Sequence, residues 1–129
     1  MWFLLAAILL VLLGASFVLW QRVRRQRRLH PGSAQRYIIA WQKLASIPDE
    51  HRRVLEAEKI VESAFRELGY NGTFADALRE HGVRFAHIEQ LWRAHKLRNR
   101  IAHEMHVQLT EREVADALNA FERTLKQLF

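Results

Sequence analysis

Leu91-Trp92-Arg93-Ala94-His95-Lys96-Leu97-Arg98-Asn99-Arg100-Ile101-Ala102-His103-Glu104 reads as one helix whose inward stripe changes character along its length. Phe85, Ile88, Leu91 and Trp92 recur at three- and four-residue steps, the periodicity of an amphipathic helix, and the stripe runs on through His95, Asn99 and Ala102. Steps of four also put His95, Asn99 and His103 in a ladder, where a bundle that only filled its core would place Leu or Ala. A polar interruption of an apolar stripe marks a face that does something other than pack.

Arg98 precedes His103 by five residues, about 140° round the helix axis, and a long Arg side chain can swing toward the same opening. The pair suits RNA cleavage. RNA carries its own nucleophile, the 2′-OH beside each phosphodiester, so the reaction needs a base, a donor for the leaving 5′-oxygen and positive charge on the phosphorane. An imidazole gives and takes protons near neutral pH, which makes His103 the candidate acid or base. Arg98 offers always-charged donors in the bidentate geometry of phosphate oxygens. Asn99 could orient the imidazole or bind substrate, while His95, Lys96 and Arg100 are candidate substrate contacts. No metal or other cofactor is needed. His103-Glu104-Met105-His106 lacks the four-residue His–His step of a metalloprotease helix, and His95 and His103 are separated by about 12 Å of helix, too far for one ion.

Arg98-Asn99-Arg100-Ile101-Ala102-His103, in its longer setting Leu91–Glu104, resembles the signature of the HEPN superfamily: an Arg, a polar residue that is commonly Asn, and a His four to six positions after the Arg. These are small helical bundles, many of them metal-independent endoribonucleases. The resemblance covers residues 84–128, with weaker support from the Trp41 helix and the Glu56-to-Gly69 helix. It implies an RNA substrate, catalytic roles for Arg98, Asn99 and His103, and a homodimer in which two copies of the motif form a composite site.

Working outward, the chain alternates helical periodicity with turn residues. Tyr37, Ile38, Trp41, Leu44, Ala45 and Ile47 form a first stripe that Pro48 ends. Asp49 caps a second helix with Val54, Ala57, Ile60, Val61, Ala64, Phe65 and Leu68 inward, closed by Gly69 in a left-handed conformation. Thr73 starts a short helix that buries Phe74, Ala77 and Leu78 and stops at Gly82. Thr110-Glu111-Arg112-Glu113 is a capping box that launches a last helix through Val114, Ala117, Leu118, Phe121, Leu125 and Leu128. No stretch alternates with strand period. The expected fold is all-α: a HEPN-like antiparallel bundle of four main helices plus one short helix over residues 33–129, preceded by a single transmembrane helix.

That transmembrane helix is Trp2 to Trp20, uncharged and about 28 Å long as a helix, near the thickness of a bilayer's hydrocarbon. Residues 1–21 are read as the anchor and 22–32 as a basic juxtamembrane linker, His30-Pro31-Gly32-Ser33 being a short breaker. Arg22, Arg24, Arg25, Arg27 and Arg28 follow the apolar run and suit an anionic lipid surface, which places the N-terminus outside and the globular part in the cytoplasm of a single-pass cell-membrane protein. The rival is a signal peptide cleaved near Gly14-Ala15-Ser16, but nothing basic precedes the apolar stretch. The span has no Gly-x-x-x-Gly pairing pattern. The net charge of +6 is largely this cluster: without its five arginines, fifteen Lys and Arg face fourteen Asp and Glu. Basicity therefore speaks for the membrane and not for RNA. The absence of cysteine excludes disulfides and thiolate metal sites.

Two other functions fit the same residues. The bundle could be a non-catalytic interaction module holding a partner protein at the membrane, with Arg98 paired to a carboxylate such as Glu58 or Glu62 and His103 capping the helix end. Alternatively, Arg98 could hold the phosphate of a nucleotide or small ligand without cleavage.

Overall fold

A computed structural model of the chain describes the backbone of residues 1–24 and 27–129, and the side chains of residues 1–19 and 27–129. The side chains of Arg22, Arg24 and Arg25, part of the anticipated lipid-facing cluster, lie outside the described residues. Six α-helices and two short 3-10 turns make up the described chain, and no strand occurs among the described residues. α1 spans Trp2–Arg24, α2 Pro31–Gln42, α3 Glu50–Glu67, α4 Phe74–His81, α5 Ile88–His103 and α6 Glu111–Gln127. Four main helices and one short one follow the apolar α1, as the periodicity indicates.

α1 has a window, Trp2–Leu19, with mean hydropathy 2.7 and none of it buried. It is long and apolar enough to cross a bilayer, a property that a signal sequence near an N-terminus shares.

The caps are the residues their chemistry favours. Asp49 accepts from the backbone N–H groups of His51 and Arg52 at the start of α3. Thr73 with Asp76 and Thr110 with Glu113 form reciprocal capping boxes on α4 and α6. Gly69 ends α3 at φ 81°, a left-handed position that suits glycine. The breaker expected at residues 30–33 turns out to be a helix start. His30 is the N-cap, accepting at Nδ1 from the Gly32 N–H, and Pro31 sits at the first helical position, where its missing N–H is no loss. α2 also stops earlier than its stripe suggests, passing into a 3-10 turn at Lys43–Ser46 that leaves Ala45 exposed. α5 starts at Ile88 and not near Phe85. Phe85 is buried all the same, filling from a turn the position to which the helical stripe extends.

α3, α5 and α6 form the centre of the bundle, with α2 laid on α3 and α4 against α5. α5 runs antiparallel to the other two. Near its C-terminal end the His51 ring Nε2 of α3 meets the Val107 carbonyl (2.7 Å), and at the other pole lie the C-termini of α3 and α6. Val54, Val61, Phe65, Leu91, Phe121, Leu125 and Leu128 are essentially solvent-free, and Phe65 stacks on Phe74 and Phe85. Tyr37 of α2 donates to Glu67 of α3 (2.9 Å). Burial first, and then the bond and charge of Glu67, push the Tyr37 phenol up to about 12.

Residues 27–29 are held against this bundle. The Leu29 side chain is buried, its N–H donates to the Leu128 carbonyl (2.7 Å), Arg27 donates to the Leu68 carbonyl (3.0 Å) and Arg28 to the Phe129 oxygen (3.1 Å). A segment expected to be linker is thus a strap across the C-terminal ends of α3 and α6.

Candidate functional site

The polar face of α5 is organised from α3. Glu58 lies on the buried stripe of α3 between Ala57 and Val61, and its side chain is only 4% exposed. A carboxylate so far from water must be paired and hydrogen-bonded. Two residues of α5 do this. His95 Nδ1 sits 2.8 Å from Glu58 Oε2, and Arg98 Nε sits 3.1 Å from Glu58 Oε1 at ion-pair distance, although its N–H is not directed along a hydrogen bond.

Asn99 closes the circuit. Arg98 Nη1 donates to Asn99 Oδ1 (3.2 Å), and Asn99 Nδ2 lies 3.1 Å from His95 Nε2. Because a guanidinium can only donate, the amide oxygen faces Arg98 and the NH₂ faces His95. His95 Nε2 must then accept, so the ring proton is on Nδ1 and is donated to Glu58. One tautomer links all four side chains, with the Arg98 Nε–H left without a hydrogen bond. Packing holds the ring as well, with His95 stacked on Phe74 (centroids 5.1 Å apart) and edge-on to Trp92 (6.0 Å).

The sequence-predicted residues therefore separate into three places. Arg98 and Asn99 join His95 and Glu58 on the α3 side. Both ring nitrogens of His95 are engaged within the protein, so it stands as a bridge between Glu58 and Asn99 rather than as a free substrate contact. His103, the last residue of α5, is exposed, and its side chain makes no hydrogen bond or ion pair among the described residues. The structure does not join it to Arg98.

Lys96 and Arg100 point elsewhere, into a groove of about 540 Å³ between α5 and α6, whose floor includes Ala94, Leu97 and Ala117. Lys96 has no ion-pair partner among the described residues, while Arg100 is shared between Glu113 (3.3 Å) and Glu104 (4.0 Å). Hydrogen bonds from Thr110, ahead of that from Arg100, hold the Glu113 carboxyl below its ordinary range. No three His, Asp or Glu side chains converge as metal ligands among the described residues.

Glu58 is the residue that the motif does not contain. Its signal was a charged side chain at an apolar register of α3, one step from Ala57 and three from Val61. The pairing of Arg98 with Glu58, anticipated for a bundle whose motif is structural, is the arrangement found.

No family model, curated protein or solved structure matches the chain.

Proposed function

We propose that the chain is a membrane-anchored, HEPN-like helical domain that engages RNA as a homodimer. In this reading Arg98 is the phosphate clamp and His103 the proton-transfer group for metal-independent cleavage by 2′-OH attack. The observation that carries it is the contrast along α5: Arg98 is steadied from behind by Glu58 and Asn99, while His103, one turn beyond Asn99, is exposed and unpartnered. Arg98 Nη2 makes no hydrogen bond among the described residues, and the side chain is 27% exposed, so it retains donors for a phosphate oxygen. A partly buried network that fixes a charged side chain preorganises that half of a site, and the imidazole beyond it is left free for substrate. α1 supplies the anchor, and two motifs meeting across the dimer would bring the His103 of one copy to the Arg98 of the other.

A second reading has its own observation. Glu58 already neutralises Arg98, which suits a scaffold module that uses the network to fix the register of α3 against α5 and presents its surface to a partner protein at the membrane.

One experiment separates the two. The full chain in lipid nanodiscs is incubated with mixed RNA in EDTA, alongside His103→Ala. Cleavage that falls by about 10²–10⁴-fold in the variant supports the nuclease, in line with loss of a general acid or base. Intact RNA from a folded wild-type dimer overturns it and leaves the scaffold.

A further inference from the structure

The pole of the bundle opposite His103 gathers positive charge that is only partly offset by nearby acceptors. Arg84, in the turn after α4, lies over the rings of Phe85 (5.5 Å) and Tyr70 (5.8 Å) and donates to the Arg27 carbonyl (3.1 Å). Arg28, Arg84 and Lys126 line one cavity of about 170 Å³ together with Phe85, Gln127 and Phe129. Among the described residues no Asp or Glu side chain pairs with Arg27, Arg28 or Arg84. The counter-groups present are Glu122, 3.0 Å from Lys126, and the Phe129 main-chain oxygen, which takes one Arg28 N–H. Burial, then the charges of Arg27 and Arg28, press the Arg84 guanidinium below its ordinary value. Cations that line one cavity are relieved by an anion.

We infer that Arg28, Arg84 and Lys126 form a phosphate-binding pocket that takes the headgroup phosphate of an anionic membrane lipid. Arg27 is three residues beyond the last residue of α1, so its Cα lies within about 10 Å of that helix end even with the intervening chain fully extended. When α1 crosses a bilayer, the pocket is held within reach of the headgroups. The strap formed by Arg27, Arg28 and Leu29 fixes two of the pole's cations to the folded domain, and Arg84 and Lys126 come from the domain itself. The lipid contact is therefore made by the bundle in one orientation, not by a loose basic tail. Planar guanidinium donors from two separate segments fit phosphate oxygens better than a diffuse charge would require. The proposal rests on the reading of α1 as an anchor.

The test uses the full chain in nanodiscs of phosphatidylcholine and in nanodiscs of phosphatidylcholine with phosphatidylglycerol, with hydrogen exchange followed at residues 27–29, 84–85 and 126–129. The expected result is greater protection of these amides in the anionic discs. Arg84→Gln should cut that lipid-dependent gain about 5-fold, the equivalent of about 1 kcal/mol per basic residue at a membrane surface. Lys126→Gln, which loses only a contact to Glu122 on its own helix, should do the same without disturbing the strap. Inorganic phosphate added to phosphatidylcholine discs should leave protection unchanged. Equal protection in the two lipids, or a gain indifferent to both variants, overturns the pocket while leaving the anchor intact; protection by inorganic phosphate alone makes the ligand soluble and overturns the lipid. A chain that enters neither disc overturns the anchor and this proposal with it.

Discussion

Glu58→Gln is the perturbation that tests the site most directly. The carboxylate is 4% exposed and serves two partners, the His95 ring at 2.8 Å and the Arg98 guanidinium at 3.1 Å. An amide in its place keeps the shape but removes the charge, and offers one acceptor where there were two. Breaking a fully buried ion pair costs about 3–5 kcal/mol. Arg98 is 27% exposed and can turn part of its charge to water, so the expected cost is lower, about 2–3 kcal/mol. In a domain of this size that corresponds to a fall of about 10–20 °C in Tm, followed by the helical circular dichroism of the solubilised chain. The decisive measurement is the double-mutant cycle with Arg98→Gln. Once Arg98 is gone Glu58 has lost half its purpose, so the double variant should be less destabilised than the sum of the singles, by about 1–2 kcal/mol. Additivity to within about 0.5 kcal/mol would refute the argument that Glu58 is what fixes Arg98.

Three further outcomes follow from individual side chains. His87 at the start of α5 is buried, with Nε2 donating to the Thr124 hydroxyl (2.9 Å) and Nδ1 unpartnered; burial, ahead of the charge of Arg123, lowers its proton affinity below the ordinary value. The unfolded chain therefore binds the extra proton first, so stability is complete above about pH 6.5 and declines as the pH falls toward the folded-state value. A pH series of melting curves should show that acid slope, and His87→Gln should flatten it. Leu29→Ala should cost about 2 kcal/mol, at the low end for a buried leucine because the residue lies at the edge of the core, and should raise hydrogen exchange at residues 27–29. A wild-type melting temperature in that variant would mean that the strap is not docked. His103→Ala should leave stability within about 0.5 kcal/mol of wild type, since the side chain is exposed and unpaired, so any effect on RNA would be chemical.

The helices were legible because caps and stripes agreed. Asp49, Thr73 and Thr110 announced three starts, and Gly69 one stop, each through chemistry local to a few residues. His30-Pro31 misled because the same dipeptide breaks a chain and begins a helix; the difference lies in whether an imidazole turns back onto the Gly32 N–H, which sequence does not record. Phe85 misled in the opposite sense, since a residue in a turn can fill a core position as well as a helical one does. At the site, periodicity identified the ladder of His95 and Asn99, but not that its counter-ion comes from α3. That pairing, between residues thirty-seven apart in sequence, depends on the relative shift of two helices, and a shift of one turn would have offered Glu62 instead. Nor does the motif show that Lys96 and Arg100, its immediate neighbours, open onto the groove beside α6.

The antiparallel course of α5 connects the two proposals. A helix of sixteen residues is about 24 Å long, and here its two ends lie at opposite poles of the bundle. The strap residues Arg27, Arg28 and Leu29 bind the pole where α3 and α6 end, so His103 is displaced from the point of attachment by roughly the length of α5. If α1 crosses a bilayer and that pole seats on headgroups, every anchored copy carries its motif at the same height above the membrane and facing away from it. Two such copies can pair only about an axis normal to the bilayer, which is the symmetry that sets one copy's motif beside the other's in an isologous contact. An RNA would then approach from the open side without meeting the anionic surface. With that pole on headgroups, its cations would be turned to the lipid and would not draw the RNA in.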